Sequence, residues 1–89
     1  MRKLLNTLFV TQPDVYLSLN GDNVVLRKGD EQLGRLPLHN LESIVSFGYT
    51  GASPALMGYC AEKNISMVFL AKNGRFLARV IGSFQGNVI

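Results

Sequence analysis

Residues 48–70, GYTGASPALMGYCAEKNISMVFL, decide how the rest of the chain is read, because they spell one helix followed by one buried strand. Ser53 is an N-cap whose hydroxyl can accept a hydrogen bond from a first-turn amide, worth about 1 kcal/mol. Pro54 then falls at the first helical position, where its fixed φ helps and its missing donor costs nothing. Leu56, Tyr59, Cys60 and Lys63 recur at i, i+3, i+4 and i+7, an apolar stripe that ends in a snorkelling lysine. Asn64 can take a left-handed C-cap. The run from Ile65 to Leu70 is almost unbroken in its apolar character and reads as a strand buried on both faces. Gly58 costs about 1 kcal/mol in mid-helix relative to alanine, for which close approach to a sheet or partner is one explanation and drift another.

Working outward, the segments on both sides read as strands. Leu4–Thr11 ends at a Pro-Asp turn and forms strand one. Val15–Leu19 alternates as a half-buried strand, and Asn20-Gly21-Asp22-Asn23 is a hairpin turn because Asn and Gly tolerate positive φ. Val24–Lys28, the turn Gly29-Asp30 and Glu31–Leu38 complete a meander, with Gly34 and Pro37 marking a bulge and an edge. His39–Glu42 reads as a short helical turn capped by Asn40, and Ile44–Phe47 as a fifth strand. Beyond the buried strand, Lys72-Asn73-Gly74 turns into Arg75–Ile81, which places Phe76, Ala78 and Val80 on one face. The tail from Gly82 loses the pattern and reads as cut at Val88-Ile89. The expected fold is mainly β (α+β), a small β-sandwich-like domain of about seven strands with one packed helix.

Eighty-nine residues with 47% hydrophobic and 17% charged content specify one globular domain. A domain of this size buries roughly two-thirds of its unfolded surface, so an apolar excess suggests that a partner or more chain covers part of it, although small β domains also show such an excess alone. The single Cys60 excludes an internal disulfide and fits a reducing, cytoplasmic setting. Met1-Arg2-Lys3-Leu4-Leu5 has a signal-peptide flavour, but Asn6, Thr7 and the Pro-Asp turn interrupt it and no small-residue cleavage site follows. No run approaches the 18 or so apolar residues of a membrane span.

The net charge of +3 is unevenly placed. After Glu62 there is no acid, whereas Lys63, Lys72, Arg75 and Arg79 remain. That distribution fits a phosphate-facing edge and, equally, a solvated surface. His39 at a strand end and Cys60 on the apolar stripe lack the neighbours that catalysis needs. The six acids show no metal-ligand spacing. Gly48, Gly51 and Ser53-Pro54 before a helix make a weak anion-site signal without a phosphate-loop lysine.

Several longer stretches carry a resemblance. LFVTQPDVYLSLNGDNVVL, GRLPLHNLESIVSFG, SPALMGYCAEKNISMVFL and NGRFLARVIG, in that order, resemble the N-terminal domain of the CRISPR-Cas adaptation integrase, Cas-one, closest to its subtype I-C branch. The resemblance covers nearly all of residues 1–89. It implies a β domain that dimerises and shapes a DNA platform, followed in the family by a helical domain absent from this chain. The family is a metal-dependent endonuclease and integrase acting with Cas-two, and with Cas-four in many subtype I-C systems, to insert spacers for antiviral defence. Magnesium or manganese is then expected for the longer parent, held by ligands of the helical domain. No cofactor and no catalytic residue is expected in this chain, and Glu42, Glu62 and His39 do not fill those roles. Some members stack a ring near the end of strand one on terminal DNA; here Tyr16 is the nearest ring.

The expected contacts with double-stranded DNA are therefore Lys72, Arg75, Arg79 and Tyr16, with Arg2 and Lys3 as further phosphate contacts. The expected homodimer contact, at the edge near Pro37, comprises Leu36, Leu38, His39 and Leu41. A stand-alone nucleic-acid-binding β module is the rival reading, and a small enzyme built on Cys60 or His39 a third.

Overall fold

A computed structural model of the chain describes residues 2–4, 6–48 and 51–81. The described residues form eight strands, a single 3₁₀ turn and one α-helix: β1 Arg2–Leu4, β2 Thr7–Val10, β3 Tyr16–Asn20, β4 Asn23–Lys28, β5 Glu31–Pro37, the 3₁₀ turn Leu38–Asn40, β6 Ser43–Phe47, α1 Pro54–Glu62, β7 Ser66–Leu70 and β8 Phe76–Val80. Tyr49, Thr50, the tail 82–89 and the side chains of Arg2 and Lys3 lie outside the described residues.

The strands form two sheets. One has the order β1-β2-β6-β7-β8 and the other is the meander β3-β4-β5. Strands β2, β6 and β7 run parallel, so each needs a crossover connection. The meander supplies the first crossover and α1 the second. Leu8, Val10, Ile44 and Met67 from the larger sheet meet Leu17, Val24 and Leu26 from the smaller one, with Leu56 and Cys60 of α1, in one buried cluster. The two sheets and the helix thus share a single core, as a layered domain requires.

Local chemistry sets the helix ends as the sequence predicts. The Ser53 hydroxyl accepts from the Leu56 amide at 3.2 Å, and Pro54 opens the helix. Asn64 sits at φ 61, the left-handed cap, just beyond the helix. Leu56 and Cys60 are buried, Tyr59 is half-buried, and the Lys63 ammonium lies over the Tyr59 ring at 5.8 Å. A Cβ at Gly58 would meet nothing within 4 Å, so close approach to the sheets of this domain does not explain that glycine.

Several expectations are corrected. Strand one is two strands, because the chain reverses at the turn residue Asn6 and β1 pairs antiparallel with β2. The Asn6 carbonyl then accepts from the Glu42 amide at 2.8 Å and holds that turn against β6. The 3₁₀ turn begins at Leu38, with Pro37 before it and no side-chain cap, so Asn40 closes the turn rather than capping it. β7 is not buried on both faces: Met67 is buried, while Ser66, Val68 and Leu70 on the other side are half-buried. The bulge foreseen around Gly34 falls at Leu33, since Leu26 pairs with Gly34 and Arg27 with Gln32. A second bulge, at Leu77, pairs Leu70 with Phe76 and Phe69 with Ala78. Paired residues share a face, so Phe76 points outward with Leu70 and does not join Ala78 and Val80.

Candidate nucleic-acid interface

Lys72, Arg75 and Arg79 are exposed and belong to one hairpin, β7–β8. Its turn is closed by the Gly74 amide donating to the Ala71 carbonyl at 2.8 Å and the Ala71 amide donating to the Arg75 carbonyl at 2.7 Å. The Asn73 side chain also accepts from the Arg75 amide at 2.9 Å. Gly74 takes φ 90, which suits glycine at this corner. The hairpin therefore presents Lys72 and Arg75 on a short, hydrogen-bonded tip, with Arg79 further along β8 beside Val68 on the outer face of the larger sheet.

Lys72 also lines a shallow cleft of about 360 Å³ with Thr11, Pro13 and Phe47. This cleft lies where β2, β6 and β7 end, and parallel strands bring their carboxyl ends to one rim. Gly48, the residue after Phe47, packs on Pro13: its φ is 111, and a Cβ there would touch the Pro13 Cα at 3.5 Å. Phe47 and Pro13 are contributors that the sequence reading does not single out. Their cue, the end of a strand beside a Pro-Asp turn, becomes spatial only once β2 and β6 are known to be parallel neighbours.

Tyr16 does not join this group. It pairs with Arg27 and faces outward from the smaller sheet, whereas Arg79 faces outward from the larger one. The two sheets enclose one core, so these outer faces lie on opposite sides of the domain.

The residues expected at a dimer contact divide in a similar way. Leu38 and Leu41 are 0% and 6% exposed and belong to the chain's own core. They have no surface to give a partner, which leaves His39, exposed, and Leu36, half-buried. Leu38, His39 and Leu41 instead line a pocket of about 250 Å³ with Tyr59, Lys63 and Ile65. The Tyr59 hydroxyl donates to Asp22 at 3.3 Å beside it.

Other candidate chemistry is small. Burial raises the Cys60 thiol from 9.0 to about 11. At the start of α1, the Ser53 amide donates to the Leu17 carbonyl, Pro54 has no donor and the Leu56 amide is capped by Ser53. Little donor capacity remains there for an anion. Among the described residues, no group of three His, Cys, Asp or Glu side chains comes together to hold a metal ion. Nor is any helix of the described residues long and apolar enough to cross a membrane.

Residues 8–89 match the sequence family described as CRISPR associated protein Cas1. The whole chain is 48% identical to the CRISPR-associated endonuclease Cas1 2 of Rhodospirillum rubrum, of which it spans 26%. Among solved structures, a partial Cas6-RT-Cas1–Cas2 complex aligns with TM-score 0.76 at 20% identity, over 89% of this chain and 24% of that one. A complex of TtCas1 with DNA aligns with TM-score 0.72 at 14% identity, over 92% of this chain and 32% of that one. The structures share the fold, and the chain spans about a quarter of the length of its curated relative. The chain belongs to the Cas1 family, and its fold is that of the family's N-terminal domain.

Proposed function

We propose that this domain is the non-catalytic dimerisation and DNA-platform part of a CRISPR adaptation endonuclease and integrase, of subtype I-C and working in the cytoplasm. The observation that carries the reading is the β7–β8 hairpin, which carries Lys72, Arg75 and Arg79 on one element, with Lys72 lining the cleft of Thr11, Pro13 and Phe47. Such cations neutralise phosphates without reading sequence. A relative named an endonuclease and a solved complex of TtCas1 with DNA support the choice of DNA as partner. The Cas1–Cas2 complexes of the same fold support Cas2 as a partner of the longer protein, and Cas4 is proposed as a further one. Homodimerisation completes the proposal.

Magnesium or manganese chemistry is proposed for the longer protein. The described residues do not fit such an ion, since a hard cation needs several converging oxygen ligands and these acids are dispersed. No step of the reaction is therefore assigned to residues of this chain.

Duplex binding by residues 1–89, followed by fluorescence anisotropy, tests the reading. Three phosphate contacts give a slope of log affinity against log salt near about −2.7, a loss of roughly fortyfold between about 50 and 200 mM. Joint Lys72→Glu, Arg75→Glu and Arg79→Glu substitution is expected to abolish that slope and most of the affinity. The same protein is expected not to nick DNA with either metal. Salt-insensitive duplex binding, or binding indifferent to the triple substitution, refutes the platform assignment.

A further inference from the structure

We infer that the outer face of the three-stranded sheet is a second nucleic-acid surface, one that takes an unpaired strand. The register of the meander places Tyr16 beside Arg27, Arg27 beside Gln32, and Val25 beside Arg35. Leu17, Val24 and Leu26 fill the core side, so the alternate positions face away from it. Tyr16, 36% exposed, and Arg35, also exposed, stand on the two edge strands with Arg27 on the strand between them. Three strands span two strand spacings, about 10 Å.

Two details organise this face. The Arg27 guanidinium donates to the Asp30 carbonyl at 3.2 Å, which fixes its direction and leaves further N–H groups available. Val25 faces outward yet is only 5% exposed, so neighbouring side chains lie across it. Arg35 is its register partner, and an arginine stem can cover apolar surface while its head stays in water. None of the positions that the register assigns to this face is acidic.

The chemistry selects the ligand. Two guanidiniums match phosphate oxygens through paired N–H donors. The Tyr16 ring beside Arg27 offers a base a stacking surface, and the Gln32 amide adds a neutral hydrogen-bonding group. Bases of a duplex have their faces stacked on one another, whereas an unpaired strand has faces to offer Tyr16. The surface lies on the opposite side of the domain from Arg79 and is separate from the hairpin edge. The inference shares with the proposed function only the premise that this domain meets nucleic acid.

The test is anisotropy of fluorescein-labelled oligothymidylate of about 20 nucleotides, and of a duplex of equal length, with residues 1–89 and its variants. Arg35→Glu and Tyr16→Ser are each expected to weaken oligothymidylate binding at least fivefold while barely altering the duplex. Tyr16→Phe keeps the ring and is expected to retain affinity. Arg35→Glu should also reduce the salt slope by at least about 0.7, one lost contact on a single strand. Circular dichroism melts confirm that these exposed substitutions leave the fold in place. If oligothymidylate binding is unchanged by Arg35→Glu and Tyr16→Ser but lost in the hairpin variant, this inference fails and the platform reading stands. If instead Arg35→Glu and Tyr16→Ser weaken oligothymidylate binding and the hairpin variant keeps it, the sheet face is the single-strand surface, and the hairpin assignment falls only if that variant also keeps its duplex binding. Absence of binding to either probe overturns both.

Discussion

Cys60 shows how far burial alone can set a residue's behaviour. It is fully enclosed on the core stripe of α1, and desolvation raises its thiol to about 11. The folded state therefore holds its proton more tightly than the unfolded chain, whose ordinary value is 9.0. The resulting stability is fully present below pH 9, because both states are then protonated. It is lost as pH climbs from 9 towards 11, where only the unfolded state has released the proton. Urea midpoints are expected to fall across that window for the native chain and to fall less for Cys60→Ala. At pH 8 the thiol is expected to resist iodoacetamide until the chain unfolds. Rapid alkylation of folded protein would reverse the assignment and revive a reactive-cysteine reading.

At the scale of elements, α1 carries a cost with no visible return. Gly58 lies in mid-helix with a standard helical setting, and an added Cβ meets no atom within 4 Å. Gly58→Ala is expected to stabilise the domain by about 1 kcal/mol, read as a raised urea midpoint at unchanged slope. A loss of stability would mean that something beyond the described residues occupies that space. The helix was legible from sequence because Ser53, Pro54 and Asn64 act within a turn of their own positions. The meander was legible for the same reason, through Asn20-Gly21 and Gly29-Asp30. Strand one reads as a single element because the loose alternation from Leu4 to Thr11 looks continuous across Asn6, and the reversal shows only once β1 folds back on β2. The outward turn of Phe76 depends on the Leu77 bulge, and a bulge is a property of two strands. The site was legible in part: the three hairpin cations are sequence neighbours, whereas Tyr16 is separated from them by its membership of the other sheet.

For the whole molecule, the open question is what its apolar surface meets. Register places Phe9, Val45 and Val68 in one row and Phe47, Leu70 and Phe76 in the next, all on the outer face of the larger sheet. Phe76 and Ile81 are about 59% and 60% exposed, and Leu77 36%. Among the described residues β8 is also an edge strand, and an edge's backbone groups invite a partner. The residues near Pro37 offer less, since Leu38 and Leu41 are committed to the core. Residues 1–89 are expected to sediment as a dimer at micromolar concentration, with a two-fold contact burying more than about 1,000 Å² in total. Phe76→Glu is expected to shift the population to monomer, because it puts a charge where the apolar rows end. His39→Glu, on the surface beside the 3₁₀ turn, tests the alternative edge near Pro37 and is expected to leave the dimer intact. Leu38→Glu is uninformative for this purpose, because an unpaired charge in the core unfolds the chain before it reports on any contact. Dissociation by His39→Glu alone would return the contact to the β5 edge. A monomer at all concentrations would leave the apolar rows to be covered by the three-quarters of its relatives' length that this chain does not span.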